Sequence, residues 1–155
     1  MYKRLVFITA AIVVLLDQVT KSLAVAFLEN KSQIDIFGKF VGLSFARNPG
    51  AAFSFGTGMT FVFTALAVAV SVIVARTART LTHPLWAYAL GGLLGGALGN
   101  LGDRLFRSPS VFQGHVVDFI RFPNYPLFNI ADSAIVCSVI VIVLLTLRNV
   151  EMSSS

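Results

Sequence analysis

Four long apolar segments limit what this chain can fold into. A helix needs about 20 mostly apolar residues to cross a bilayer, and a composition of 56% hydrophobic and 12% charged residues makes the bilayer the expected solvent. We therefore predict an all-α integral membrane protein that forms a single polytopic domain over residues 1–155. Its four transmembrane helices are expected at about residues 5–28, 60–75, 85–101 and 130–147.

The basic residues give this predicted bundle an orientation. Lys3 and Arg4 precede the first span, Arg76 and Arg79 lie in the short second loop, and Arg148 follows the last span. Lys and Arg concentrate in the cytoplasmic loops of membrane proteins. Both termini are therefore predicted to be cytoplasmic, and the two long loops are predicted to be on the outer side.

The N-terminal segment also has features of a cleaved signal peptide, with a basic start and Ala24-Val25-Ala26 behind an apolar run. The run from Leu5 to Leu16, however, would reach only about 18 Å as a helix, whereas the hydrocarbon layer is about 30 Å thick. We therefore expect the first helix to continue through Asp17 and Lys21 and to remain part of the protein.

The outer side is predicted to hold both a small β element and a polar cluster. Apolar residues alternate around residues 40–45 and 116–120, which predicts short strands at the outer membrane surface. An ionisable residue at membrane depth costs about 3 kcal/mol on insertion scales, so a group of them at one end of the spans indicates a function. The cluster comprises Asp17, Lys21, Asn48, Asn100, Asp103, Arg104, Asp118, Asn129 and Asp132.

Two of these acids have surroundings that favour opposite charge states. Asp132 falls in the first turn of the last helix, where free backbone N–H groups favour an ionised carboxylate. Asp118 lies in an apolar run, which favours the neutral acid. An aspartyl protease needs one carboxylate of each kind, to activate water and to protonate a carbonyl. The structural alternatives are a helix N-cap for Asp132 and pairing with Arg121 or Arg104 for Asp118.

Residues four apart in the first and third spans form further pairs. Arg104, beside Asn100, could hold a carboxylate or anchor the helix at the interface, whereas Asp17 and Lys21 form either a structural ion pair or a support for the site. Glycines recur every four residues between Gly91 and Gly99, which favours close helix packing over a groove for a substrate helix.

Other chemistry finds little support in the sequence. The two histidines lack metal-ligand spacing, and the single cysteine, Cys137, has no partner for a disulfide or a metal site. We expect no metal or cofactor, and we expect Cys137 to pack in the bundle. The net charge of +5 is scattered between apolar runs without interleaved aromatic residues, so no nucleic-acid partner is expected.

Five sequence blocks closely resemble those of bacterial lipoprotein signal peptidases, the signal peptidase II family, in the family's order and over nearly the whole chain. Two features depart from the family pattern: Pro49 replaces the Thr or Asn that is more usual before Gly50, and residues 121–126 are unusually rich in proline. These departures concern the conformation of the first loop and the substrate side-chain preference, not the acids. The blocks are Asp17-Gln18-Val19-Thr20-Lys21, Asn48-Pro49-Gly50-Ala51-Ala52-Phe53, Gly95 to Arg104, Val116-Val117-Asp118-Phe119 and Phe128-Asn129-Ile130-Ala131-Asp132-Ser133.

The resemblance implies an intramembrane aspartyl endopeptidase of the bacterial inner membrane, with Asp118 and Asp132 as a catalytic dyad toward the outer face. It also implies the substrates, which are prolipoproteins that carry diacylglycerol on a cysteine and are cut just before it. We expect the enzyme to be a monomer in contact with membrane lipid and to need no cofactor. By the same matching, the residues that line or support the site are Asn48, Gly50, Asn100, Arg104, Asn129, Asp17 and Lys21.

A small proton-coupled transporter or channel is the alternative, with Asp17, Asp118 and Asp132 relaying protons. Its weakness is that the inner halves of the predicted spans contain no acid to continue a relay. A purely structural assembly subunit, which would use the glycine faces for partner helices, is a third possibility.

Overall fold

Four helices and a three-stranded sheet make up the described part of the chain, which in this computed structural model is residues 2–50 and 58–153, with side chains from residue 61 onward in the second helix. All four predicted helical segments and both predicted strand regions are present. The third helix continues to Phe106, past its expected end at Leu101, where the apolar run stops. Its polar residues Asp103 and Arg104 are buried within the protein rather than placed in a loop. In order, the elements are α1 (Lys3–Leu28), β1 (Ile34–Phe37), β2 (Val41–Asn48), α2 (Gly58–Thr77), α3 (Pro84–Phe106), β3 (Val116–Arg121) and α4 (Ile130–Leu147).

The outside of the helical bundle is apolar. Large side chains such as Leu15, Leu66, Ile73 and Leu147 are exposed. By length and composition α1 and α4 could each cross a bilayer. An extensive apolar surface of this kind is unfavourable in water and favourable against lipid, so the chain is a membrane protein.

Helix α3 lies at the centre of the bundle and contacts the other three helices. A Cβ added at Gly95 would lie 2.6 Å from Val13 Cβ of α1, and one added at Gly96 would lie 2.6 Å from Ile135 Cγ1 of α4. Only glycine permits this approach on both faces. The packing interpretation of the glycine repeat is therefore confirmed, because neighbouring helices fill the space where a groove would have run.

The sheet is antiparallel with the order β1-β2-β3. Ala46 pairs with Asp118 and Asn48 pairs with Val116, so the end of β2 lies beside the acid of β3. An apolar cluster joins the sheet to the C-terminal end of α1. It consists of Ala24, Leu28, Val117 and Phe119. This packing holds β3 against the part of α1 that follows Lys21.

The expectation that Cys137 packs inside the bundle is wrong, because its side chain is exposed on α4. The neighbouring Ser138 is the buried residue, and it lies against Gly92 of α3. Helix α4 is apolar on all sides, so its sequence has no polar stripe from which the buried face could be determined.

Candidate active site

Asp118 lies in β3 and is only 3% exposed. Its Oδ2 accepts a hydrogen bond from Asn48 Nδ2 at 2.9 Å, and its Oδ1 accepts one from Asn129 Nδ2 at 2.7 Å. Burial raises the pKa of Asp118 to about 6; the negative charge of Asp132 adds to the rise, while the two amide donors oppose it. Arg121, one of its expected partners, instead pairs with a carboxylate of β1.

Asp132 lies in the first turn of α4 and takes part in a reciprocal cap. The N-cap residue is Asn129, whose Oδ1 accepts from Asp132 N at 2.9 Å, and Asp132 Oδ2 accepts from Asn129 N at 3.3 Å. The other oxygen, Oδ1, accepts from Asn100 Nδ2 of α3 at 2.7 Å. Asp132 therefore has a capping role, as one alternative expected, but its carboxylate is also tied to a second helix.

Asn129 joins the two acids. It is fully buried, and its side-chain amide donates to Asp118 while its side-chain oxygen caps the turn that carries Asp132. Its Nδ2 also lies 3.3 Å from Asn100 Oδ1. The geometry thus brings Asp118 and Asp132 to opposite sides of one asparagine, although they come from a strand and a helix separated by a loop.

Lys21 anchors a second layer of polar residues behind the acids. Its Nζ lies 2.8 Å from Asp17 Oδ2 and 2.9 Å from Asp103 Oδ2, and all three side chains are fully buried. The same Nζ donates to Asn100 Oδ1 at 2.9 Å, which turns the Asn100 amide toward Asp132. The Asp17–Lys21 pair is therefore a buried ion pair that also contacts Asn100, the residue that donates to Asp132, so the two interpretations do not exclude one another.

Asp103 belongs to this layer and was missed as a site residue, although the sequence placed it in the polar cluster. Its Oδ2 accepts from Val117 N at 3.1 Å as well as from Lys21. Its Oδ1 accepts from Arg107 Nε at 2.6 Å and from Gln18 Nε2 at 3.1 Å. Because Val117 directly precedes Asp118, Asp103 fixes the strand next to the acid. The i, i+4 spacing to Arg107 was the available signal.

Asp17 connects α1 to the start of α4. Its Oδ1 accepts from Ala131 N at 2.9 Å, so it satisfies one of the free N–H groups at that helix terminus. Gly99 makes room for this carboxylate, since a Cβ there would lie 2.6 Å from Asp17 Oδ2. The N-terminal turn of α4, with its acid, is thus held from α1 as well as from α3.

Gly50 shapes the turn that follows Asn48. Its N–H donates to Asn48 Oδ1 at 2.8 Å, and its φ of 100° is one that side-chain-bearing residues rarely adopt. This contact orients the Asn48 side chain so that its Nδ2 donates to Asp118 Oδ2. Residues 51–53, which complete the predicted motif of the first loop, lie outside the described residues.

Arg104 lies on the same side of α3 as these acids but contacts an aromatic ring. Its guanidinium carbon is 5.4 Å from the centroid of Phe63 in α2. It interacts electrostatically with Asp103, Asp118 and Asp132, yet it forms no salt bridge within the described ranges, where its buried Nη1 has no hydrogen-bond partner. Of the two roles that the sequence left open for Arg104, a direct salt bridge to a carboxylate is therefore not seen among the described residues.

The described residues, 2–50 and 58–153, contain no group of three or more His, Cys, Asp or Glu side chains arranged to hold a metal ion. The carboxylates are bound instead by amides, backbone N–H groups and two cations. A pair of buried carboxylates held in this way in a membrane-embedded bundle is the arrangement expected of a membrane enzyme of the aspartic peptidase class.

Comparisons with known proteins identify the family. The family model described as signal peptidase (SPase) II matches residues 9–148, and the chain belongs to this family. The lipoprotein signal peptidase of Rhodococcus jostii is 52% identical over 147 residues, which cover 95% of this chain and 74% of the relative. That of Streptomyces coelicolor is 52% identical over 145 residues, which cover 94% and 71%.

A solved structure supports the fold. The structure of a bacterial membrane enzyme superposes on this chain with a TM-score of 0.81 at 27% sequence identity. The alignment covers 97% of this chain and 93% of the enzyme. The arrangement of helices and sheet is therefore that of a known membrane enzyme.

Proposed function

We propose that this chain cleaves signal peptides from diacylglyceryl-modified prolipoproteins, just before the lipidated cysteine, with Asp118 and Asp132 as the catalytic dyad. The observation that carries the proposal is the position of Asn129, which donates to Asp118 at 2.7 Å and caps the turn of Asp132 at 2.9 Å. Membership of the signal peptidase II family and the names of the relatives support the substrate class.

In this mechanism the two acids share one proton. The ionised carboxylate takes a proton from water, the water attacks the scissile carbonyl, and the protonated carboxyl donates to the oxygen that becomes negative. The roles then reverse, and the leaving amine is protonated. The raised pKa of Asp118 suits the protonated partner in the resting pair. Asn48 and Asn129 donate to that carboxyl and hold its orientation.

The supporting residues have distinct parts in the proposal. Asn100 orients Asp132, and Lys21 orients Asn100. Arg104 lies beside the dyad, and its buried Nη1 has no hydrogen-bond partner in the part of the chain that the structure describes, which suits a contact with a substrate carbonyl. Gly50 sets the turn that aims Asn48 at Asp118.

The proposed enzyme crosses the bacterial inner membrane four times as one domain, with both termini in the cytoplasm. This topology places the sheet and the dyad at the outer face, where a substrate can keep its lipid tail in the bilayer. The apolar surface of all four helices supports multiple crossings. A reporter fused after Arg148 should give a cytoplasmic signal, and a monomer is expected by light scattering in detergent.

The first experiment is cleavage of a purified diacylglyceryl prolipoprotein by the wild-type chain and by Asp118→Asn and Asp132→Asn. Each substitution should lower kcat by at least about 100-fold, because each removes an acid-base group. Asp35→Asn is the matched control, since Asp35 is an exposed acid paired with Arg121. Mass spectrometry should place the cut before the lipidated cysteine. Undiminished cleavage by both dyad variants would exclude the mechanism.

A further inference from the structure

The hairpin that joins β1 to β2 ends in an exposed apolar tip. The side chains of Phe37 and Phe40 are 71% and 76% exposed. Gly38, between them, has a φ of 53°, and no described atom lies within 4 Å of the position of an added Cβ. The turn therefore projects from the rest of the described protein. Two exposed aromatic rings on a projecting turn indicate a contact with something apolar.

This tip continues an apolar surface that begins on α1. Leu23 and Phe27 are exposed near the end of α1, and Ile34 is exposed on β1. Together with Leu43 of β2, these side chains line an open cavity of about 330 Å³ between the helix and the sheet. Because the exposed side of α1 faces lipid, the apolar surface leads from the hydrocarbon directly to the hairpin.

The uncompensated charges next to the tip are positive. The two acids of this region, Glu29 and Asp35, are each paired with an arginine. Lys31 and Lys39 are exposed and take part in no salt bridge among the residues described. Lysines that flank an apolar surface favour an interface where their stems lie on hydrocarbon and their ammonium groups reach lipid phosphates.

We propose that the hairpin tip, residues 36–40, is a membrane anchor that inserts Phe37 and Phe40 between the head groups and upper acyl chains of an anionic phospholipid bilayer. Lys31 and Lys39 bind the lipid phosphates. The anchor is connected to the candidate site, because β2 ends at Asn48 and pairs with the strand that carries Asp118. Anchoring the hairpin fixes the depth of that site relative to the bilayer surface.

Depth-dependent fluorescence quenching tests the anchor without relying on catalysis. Trp86 is the chain's single tryptophan, so Trp86→Phe provides a dark background for the reporter Phe40→Trp in vesicles of phosphatidylglycerol. Lipids brominated near the head group should quench this reporter, whereas Leu15→Trp, an exposed position in the middle of α1, should respond to lipids brominated deep in the chain. Quenching of Phe40→Trp by aqueous iodide alone would overturn the proposal.

Two further arms complete the test. If Trp86→Phe does not fold, nitroxide labels at Phe40→Cys and Leu15→Cys in a Cys137→Ser background report the same depths by their accessibility to oxygen and to a water-soluble nickel complex. The charge claim is tested by Lys31→Gln together with Lys39→Gln. In the unsubstituted hairpin, quenching should be stronger in phosphatidylglycerol than in phosphatidylcholine, and the double substitution should remove that difference. A difference that survives would overturn the role of the lysines.

Discussion

Replacing Gly99 by alanine should show whether the contact between Gly99 and Asp17 matters for the site beyond the general packing of α3. The added Cβ would lie 2.6 Å from Asp17 Oδ2 and 3.2 Å from Ala131 Cβ. Asp17 cannot withdraw freely, because its other oxygen accepts from Ala131 N at 2.9 Å and Oδ2 is paired with buried Lys21 at 2.8 Å. The methyl group therefore forces either the carboxylate or the start of α4 to move.

Gly102→Ala is the matched control on the same helix. At Gly102 the nearest atom to an added Cβ is Gln18 Nε2 at 3.8 Å, which is an ordinary contact. Both substitutions gain the same helix propensity, about 1 kcal/mol, so their difference isolates the clash. Overpacking in a well-packed interior costs about 1–3 kcal/mol. Gly99→Ala should therefore be less stable than Gly102→Ala by about that amount.

The assay is unfolding of both variants in mixed detergent and SDS micelles, followed by circular dichroism, with prolipoprotein cleavage measured on the folded fraction. Gly99→Ala should also lower kcat, because the moved turn carries Asp132, while Gly102→Ala should keep wild-type cleavage. Equal stability and equal cleavage for Gly99→Ala and Gly102→Ala would refute the argument that Gly99 exists to accommodate Asp17.

Three more predictions follow from the polar network. Lys21→Met should destabilise the protein by about 3–5 kcal/mol in the same micelle assay, because it leaves buried carboxylates unpaired. Loss of the partly exposed Arg47 should change stability by less than about 1 kcal/mol. Similar losses of stability for the two substitutions would contradict this prediction. The folded-state pKa of Asp118, raised to about 6, lies above its ordinary value, so its contribution to stability is complete at low pH and is lost as the pH rises through about 6. Asp118→Asn should flatten that pH dependence of unfolding, and an unchanged slope would refute it. Phe63→Leu should raise KM more than it lowers kcat because Arg104 loses its aromatic support, with recovery in Phe63→Tyr; a fall in kcat alone would contradict the role of the ring.

Much of the architecture could be predicted, because a long apolar run by itself indicates a helix that is stable in lipid. The four helices follow from the apolar segments, and the strands follow from alternation around residues 40–45 and 116–120. Both patterns are local. The grouping of Asn100, Asn129 and Asp132 at one end also followed, because the order of spans decides which ends lie together. The family resemblance supplied the same residues independently.

What could not be predicted depends on the rotation of each helix and on contacts between distant side chains. The role of Asp103 rests on reaching Val117 N and Lys21 from α3, and its i, i+4 spacing to Arg107 could not reveal those partners. For Arg104 the sequence left open either a carboxylate partner or an anchoring role at the interface, and it gave no sign of the Phe63 ring in α2, which lies against one side of the guanidinium. The residue spacing within one helix does not identify the side-chain partners that lie on another helix.

Most of the ionic groups at the sheet end of the bundle are paired with one another, and this pairing bears on the reaction. Lys21 and Arg107 contact the carboxylates of Asp17 and Asp103, so these four charges cancel. Among the described residues, the cation that then remains to balance Asp118 and Asp132 is Arg104. With both acids ionised, this group would carry a net negative charge in a medium that solvates charge poorly. One shared proton makes it neutral, and a pair that holds one proton contains the general acid and the general base that peptide hydrolysis needs. The ion pairs around Lys21 thus favour, for Asp118 and Asp132, the singly protonated state that the proposed mechanism requires.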